Sequence, residues 1–432
     1  MICDNLSVNE NGHLYFAGLD TTELAKKYGT PLYIMDENKI REKCRIYKSA
    51  LSAAFGNNAK PLYASKAASF KQIYRIMKEE EMGIDVVSSG EIYTAVSAGF
   101  DISIAYFHSN NKTDADILYA IENNIGYFVA DNEEELFAIE KIAKSKGIKQ
   151  KVLLRLTPGI DPHTYEAVAT GKVDSKFGSA IETGQAEEIT KTALSLENIE
   201  LFGFHCHLGS QMFDGDVFID GAKIMLEFIA YIENKYGYVT KELDLGGGFG
   251  VKYVDSDGEI NISENIYIIS DYIKSKCSEL GIKVPGIRME PGRSIVADAG
   301  ITLYTVGTVK KITGYKNYVS VDGGMTDNPR YALYGSKYTV LLADRANDKA
   351  TFKCSLVGRC CESGDIIAEN IKLPENIKRG ENVAVLTTGA YNYSMASNYN
   401  RIPRPALVMI KDKKDYLAVK RESLADICLN DI

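Results

Sequence analysis

PLYASKAASFKQIYRIMKEEEMGIDVVSSGEIYTAVSAGFDISIAYFHS, residues 61–109, holds three short apolar runs separated by two longer amphipathic stretches. The runs PLYAS (61–65), IDVVS (84–88) and ISIAYF (102–107) have the length and composition of strands. The stretches between them repeat apolar residues at helical spacing, and this alternation builds a parallel sheet with helical crossovers. Outward from the segment the pattern continues through YFVA (127–130), VLLRL (152–156), LFGFHCH (201–207), ELDLG (242–246) and GIRME (286–290). Eight strands over roughly 230 residues predict an α/β fold, a closed (β/α)8 TIM-type barrel of near-typical size.

Beyond Glu290 the helical periods stop. SIVADAGITLYTVGTVKKI, YKNYVSVDGG, TFKCSLVGR and NVAVLTTG read as strands and predict a C-terminal all-β domain, sandwich or barrel. Near the start, HLYFAG reads as a strand and TTELAKKYG as a short helix closed by its glycine. The expected division is residues 1–30 packing on the β-domain, 31–290 the barrel, and 291–432 the β-domain.

A chain of 432 residues is long enough for two domains, and 45% hydrophobic with 25% charged residues is ordinary globular composition. The net charge of −8 disfavours nucleic acid and anionic lipid as partners and favours a small molecule. The N-terminus lacks the basic start and apolar run of a secretory signal, and nothing approaches eighteen uninterrupted apolar residues, so a cytoplasmic location is expected. Eight scattered cysteines form neither paired zinc spacing nor a disulfide framework; reduced thiols and no metal are expected. Only Cys360 and Cys361, in GRCCESGD, lie in a polar setting.

In such a barrel, chemistry gathers where strands end at their C-terminal side. Lys66 follows the first strand, Asp85 lies in the second, His108 ends the third, His207 the sixth and Glu290 the eighth, while Gly246–Gly248 follow the seventh. Taken singly, a strand-end lysine is usually a solvated cation and a lone histidine a satisfied core residue. Together they define a constellation. A lysine after an apolar strand is expected to be partly desolvated, with the lowered pKa a Schiff-base lysine needs. GGGFG (246–250) offers a nest of amides for an anion, and a helix starting after it would add its dipole. In MEPGR, Glu290 is placed to keep a pyridine nitrogen protonated and Arg293 to fold back over it, with His207 a flat surface for a ring. Lysine, nest, carboxylate and imidazole on one rim specify pyridoxal 5′-phosphate (PLP).

YASKA, DVVSSGE, HSNNK, DSKFG, HCHLGSQ, LDLGGGFG, EPGRSIVADAG, VDGGMTDNPRYALY, CESGD and GAYNYSMASNYN recur in the order found in the fold-type III PLP-dependent decarboxylases. The chain resembles that family, and within it the diaminopimelate decarboxylase branch, over nearly its whole length. The resemblance implies a homodimer with shared active sites that converts meso-2,6-diaminopimelate to L-lysine and CO2. It implies that Lys66 carries PLP as a Schiff base, that His207 stacks on the ring, and that Glu290 meets the pyridine nitrogen. Asp85 would line the cofactor site, and Ser210, Gly247, Gly248, Gly292, Arg293 and Tyr391 would hold the phosphate. Arg293, Arg330, Tyr334, Glu362 and Tyr391 would contact substrate, and Cys361 would be the proton donor, reaching the partner subunit's cofactor with Glu362.

Two departures stand out: Tyr331 where relatives mostly have Pro, and Gly358-Arg359-Cys360-Cys361 where they have Gly-Pro-Ile-Cys, which leaves Cys360 a bystander. The runner-up is a sister decarboxylase for arginine, ornithine or a carboxy-polyamine, which would not require a distal carboxylate. A non-catalytic PLP-binding regulatory homologue fits less well, because Lys66, Cys361 and GGGFG are all present.

Overall fold

A computed structural model describes residues 2–160 and 174–432. The chain divides into two compact units. One comprises Lys43–Gly250 and Glu259–Gly292; the other comprises Met1–Glu42, Val251–Gly258 and Arg293–Ile432.

The first unit is the barrel. Its strands are β1 (Ala59–Ala64), β2 (Gly83–Val86), β3 (Ala105–Phe107), β4 (Tyr127–Ala130), β5 (Gln150–Thr157), β6 (Ile199–His205), β7 (Glu242–Asp244) and β8 (Gly286–Met289). Each pairs in parallel with the next, and β8 pairs with β1 to close the cylinder. All eight segments expected as strands are strands. Their ends differ from the sequence reading in informative places. Ile102–Ile104 is a 3₁₀ turn and β3 begins only at Ala105, because the Ser103 N–H donates to the Asp101 side chain at 3.0 Å and caps that turn. β6 ends at His205, so His207 stands on the loop beyond it.

The pairing of β5 with β6 slips between Leu201 and Gly203, and a Cβ on Gly203 would lie 1.9 Å from the Glu242 carbonyl oxygen. Only glycine fits this bulge, which sets the direction in which the end of β6 presents its histidines. Inside the barrel Leu62, Tyr106, Val129 and Leu153 form one buried cluster. At the end where strands begin, the Tyr106 hydroxyl donates to Glu242 at 2.6 Å and Arg288 pairs with the same carboxylate. That end is filled by structural contacts, which leaves the strand C-termini for chemistry.

The second unit carries a nine-stranded mixed sheet, branched at Gly300–Lys311. Strand Leu32–Asp36 belongs to it, pairing antiparallel with Gly300–Lys311 and parallel with Ala406–Lys411. Leu6, Leu14, Phe16 and Leu24 share a buried cluster with Ile34, Ile301, Leu303, Leu386 and Val408. Among the described residues no helix is long and apolar enough to cross a membrane.

Candidate functional site

At the C-terminal rim of the barrel, Glu290 follows β8 and is 4% exposed. Its carboxylate lies 2.7 Å from His108 Nε2, just past β3, and 3.4 Å from His205 Nε2 at the end of β6. Burial alone would raise its pKa; the two imidazoles more than offset this and hold it well below the usual carboxylate range. Asp85 in β2 sits 3.8 Å from His108 Nε2 and is pushed up to about 6 by burial, against the pull of His108. One donor atom from each of His108, His205, Asp244 and Glu290 lies within 4.8 Å of the others, all buried. The sequence reading gave His205 and Asp244 no role. Both are the last residues of their strands, β6 and β7, but the sequence pattern carried those strands on to His207 and Gly246 and so left them inside.

Lys66 lies in the 3₁₀ turn Ser65–Ala67 after β1 and is exposed, where a partly desolvated ammonium was expected. Its charge reaches the cluster all the same. It favours ionisation of Asp85 and Glu91 and disfavours protonation of His205 and His207. His207 is held well below the ordinary imidazole value, first by burial and then by Lys66 and Arg155. Its Nδ1 accepts the Gly247 N–H at 3.3 Å, a bond that needs the neutral ring.

The nest has the stereochemistry of a cradle. A Cβ on Gly247 would lie 2.1 Å from the Glu290 carbonyl oxygen, and one on Gly248, at φ +135°, would lie 2.2 Å from Met212 Cε. Neither position tolerates a side chain, so an anion can approach the backbone closely here, although the Gly247 amide already donates to His207. The helix dipole expected after GGGFG is absent, since the next helix of this unit, Ile262–Leu280, starts twelve residues further on. Gly292 is similarly confined, with Ala64 Cβ 2.9 Å from its own would-be Cβ, and Ser210 lies half-buried on the loop after β6. Nest, neutral imidazole, ionised carboxylate and lysine fit a phosphorylated pyridine aldehyde.

Glu91 lies in the first turn of helix Ser89–Ser97, and its Oε2 accepts the Val87 N–H at 2.8 Å. Burial raises its pKa from 4.5 to about 7, opposed by that bond and by Lys66. A raised carboxylate pKa means the folded chain holds the proton more tightly, so stability is lost as pH climbs from 4.5 to about 7. Glu91→Gln is therefore expected to gain on the native chain across that window, by about 3 kcal/mol at pH 8 relative to pH 4. Thermal unfolding of both proteins at the two pH values checks this.

The second unit brings other expected residues together. The Arg293 guanidinium donates to the Tyr253 hydroxyl at 2.8 Å, and Arg330 donates to Tyr338 at 2.9 Å. Arg293 lies 4.8 Å from the Tyr391 ring centroid, and Arg330 lies 5.2 Å from that of Tyr253. Burial would raise the Tyr253 pKa, yet the two guanidiniums hold it below its usual value. Both arginines are 7% exposed, and among the described residues Arg330 forms no ion pair with a carboxylate. Two buried guanidiniums around one tyrosine concentrate positive charge at one place, which suits an anionic ligand. Tyr391 has φ +64°, a strained backbone for a side chain of that size. Tyr253 escaped the sequence reading because it stands alone in a polar loop.

Tyr334, Cys361 and Glu362 do not join this cluster; all three are exposed. The loop that bears Cys361 and Glu362 is nonetheless fixed: the Cys361 N–H donates to Asn400 Oδ1 at 2.8 Å, and the buried Asp365 carboxylate accepts from Met325 N and Cys360 N, both at 2.6 Å. Burial raises the Cys360 thiol to about 11, which suits a bystander. Tyr331, in place of the usual Pro, has a partner of its own, donating to Glu369 at 2.5 Å.

A barrel with this rim belongs to a defined class. The model of the pyridoxal-dependent decarboxylase pyridoxal-binding domain matches residues 37–297, and the chain is a member of that family, with PLP as its cofactor. It is 45% identical over 424 residues to a diaminopimelate decarboxylase of Bacillus subtilis (strain 168), covering 98% of this chain and 96% of that protein. Among solved structures it is similar to the M. jannaschii diaminopimelate decarboxylase in complex with L-lysine, with TM-score 0.91, 32% identity and coverage of 100% and 98% of the two chains. The Helicobacter pylori diaminopimelate decarboxylase complexed with L-lysine follows at TM-score 0.85 and 32% identity, covering 95% of this chain and 98% of that one.

Proposed function

We propose that this chain decarboxylates meso-2,6-diaminopimelate to L-lysine and CO2, with PLP bound at Lys66. The observation that carries the reading is the anion site at Arg293 and Arg330, because a substrate with a distal carboxylate needs a cationic fork that ornithine or arginine would not use. Relatives that share nearly the whole chain carry the same activity in their names.

PLP supplies an electron sink for the bond between Cα and its carboxylate. The protein supplies the rest. Lys66 is the amine that links to the cofactor; Gly247, Gly248, Gly292 and Ser210 hold the phosphate with Arg293 and Tyr391; and His207 offers its neutral ring to the pyridine face. Asp85 lines the cofactor site. Glu290, kept ionised by two imidazoles, holds a proton at the ring nitrogen. Arg293 and Arg330 bind the distal carboxylate, Tyr334 and Tyr391 contact the substrate, Glu362 accepts from the distal ammonium, and Cys361 returns a proton to Cα.

Cys361 and Glu362 act in the partner subunit of a homodimer. Their exposure on an anchored loop supports this, since side chains with a chemical task are there fixed toward solvent. The working division of the chain follows the two units, with strand Leu32–Asp36 taken from the expected barrel range 31–290 into the β-domain, where residues 1–30 also lie; the buried cluster of Leu6, Leu14 and Phe16 with Ile34 supports it. We place the enzyme in the cytoplasm; among the described residues no helix is long and apolar enough to cross a membrane.

Arg330→Ala tests the reading. Truncating one partner of a desolvated charge pair costs about 2–5 kcal/mol, so kcat/KM for diaminopimelate is expected to fall by about 30-fold to several thousand-fold. Unchanged kinetics in a folded variant would remove the substrate assignment.

A further inference from the structure

Asp244 ends β7, is fully buried, and is used by none of the steps above. Its Oδ1 accepts the N–H of Gly246, the first residue of the nest, at 2.9 Å. Its Oδ2 is buried with no hydrogen-bond donor, and its carboxylate lies within 4.8 Å of that of Glu290. Two carboxylates so close and so far from water do not both ionise; one keeps a proton and shares it. The groups around the pair decide which. His108 and His205 stand 2.7 and 3.4 Å from Glu290 and also within 4.8 Å of Asp244, with which they form no ion pair; Asp244 further faces Glu290 itself, the Asp85 carboxylate and the buried Cys206 thiol. Arg288, its register partner on β8, brings positive charge nearby but pairs with Glu242, and among the described residues Asp244 forms no ion pair. The proton therefore resides on Asp244, in keeping with a pKa raised well above the carboxylate range by burial and then by Glu290.

We propose that Asp244 is a positioning residue that works as a neutral acid, donating through Oδ2 to Glu290 while Oδ1 holds the Gly246 amide. It thereby fixes the ring-nitrogen end and the phosphate end of the cofactor site to one another. The inference rests on the PLP reading and adds a residue that never touches the cofactor. Its consequence is specific: asparagine, which also offers one donor and one acceptor and carries no charge, reproduces the acid, and leucine does not.

The test uses wild-type protein, Asp244→Asn, Asp244→Leu, Glu290→Gln and the Asp244→Leu/Glu290→Gln double variant, each stripped and reloaded with PLP. PLP affinity is measured by equilibrium dialysis, and the absorbance of the bound cofactor is titrated with pH. Asp244→Asn is expected to keep the wild-type titration and bind PLP within about threefold of wild type, while Asp244→Leu weakens binding about tenfold or more. In the Glu290→Gln background the leucine substitution is expected to cost less than it does in the native background, because the part of its effect that passes through Glu290 is already lost and only the Gly246 contact remains. An Asn variant as impaired as the Leu variant, or Leu and Gln effects that multiply, would overturn the proposal. If Asp244→Leu does not fold, the Asn titration decides alone, a shifted midpoint counting against it. Failure of wild-type protein to bind PLP would instead refute the underlying cofactor reading.

Discussion

Lys66→Ala is expected to abolish the visible absorbance of protein-linked cofactor and to lower CO2 release from diaminopimelate on the order of 10⁴-fold or more, the scale on which loss of a covalent catalytic residue acts. The same substitution is expected to leave stability within about 0.5 kcal/mol of the native chain, because the side chain is exposed and not part of the core. The contrast is the point. Lys66 sits on a 3₁₀ turn whose neighbours, Ser65 and Ala67, are buried and fix where its amine emerges. A stable variant with a silent cofactor separates chemistry from folding, and a variant that keeps its absorbance band would deny Lys66 its role.

Glu290→Gln is expected to lower kcat about 10²- to 10⁴-fold, since the amide carries no charge to hold a proton on the ring nitrogen. The physical cause lies in the rim. A carboxylate this buried stays ionised only because His108 and His205 stand at 2.7 and 3.4 Å. Its depressed pKa also fixes the pH dependence: the ionised form is present at neutral pH and is lost only as pH falls through the acid range below the usual carboxylate value. Wild-type PLP affinity should therefore weaken on acidification, and that of the Gln variant should lack this acid limb. Activity within about threefold of wild type in Glu290→Gln would contradict the assignment.

The features of the fold that depend on pattern were readable. Each of the eight barrel strands is a run of apolar residues bounded by helical stretches, and burial on both faces of a parallel sheet writes that run directly into the chain. Strand ends were less readable. At Ile102–Ile104 a side-chain cap from Asp101 beats β propensity, and beyond β6 the chain leaves the sheet two residues before its histidine motif ends. Lys66 and Glu290 announced themselves because they are unusual residues where strands stop. His205 and Asp244 did not, because the apolar runs read two residues too far, to His207 and Gly246, and hid both true strand ends inside the pattern. Tyr253 belongs to Val251–Gly258, a short segment that the fold assigns to the other unit, a feature without any sequence period. The helix dipole expected behind GGGFG failed for a simple reason: the glycine run is a close-approach device against Glu290 and Met212, not a helix start.

The most direct test of the central claim is CO2 release from the PLP-loaded enzyme offered meso-diaminopimelate, L-lysine, L-ornithine and L-arginine in parallel. The account predicts release from diaminopimelate alone, with lysine as the product; release from ornithine or arginine in its place would contradict it.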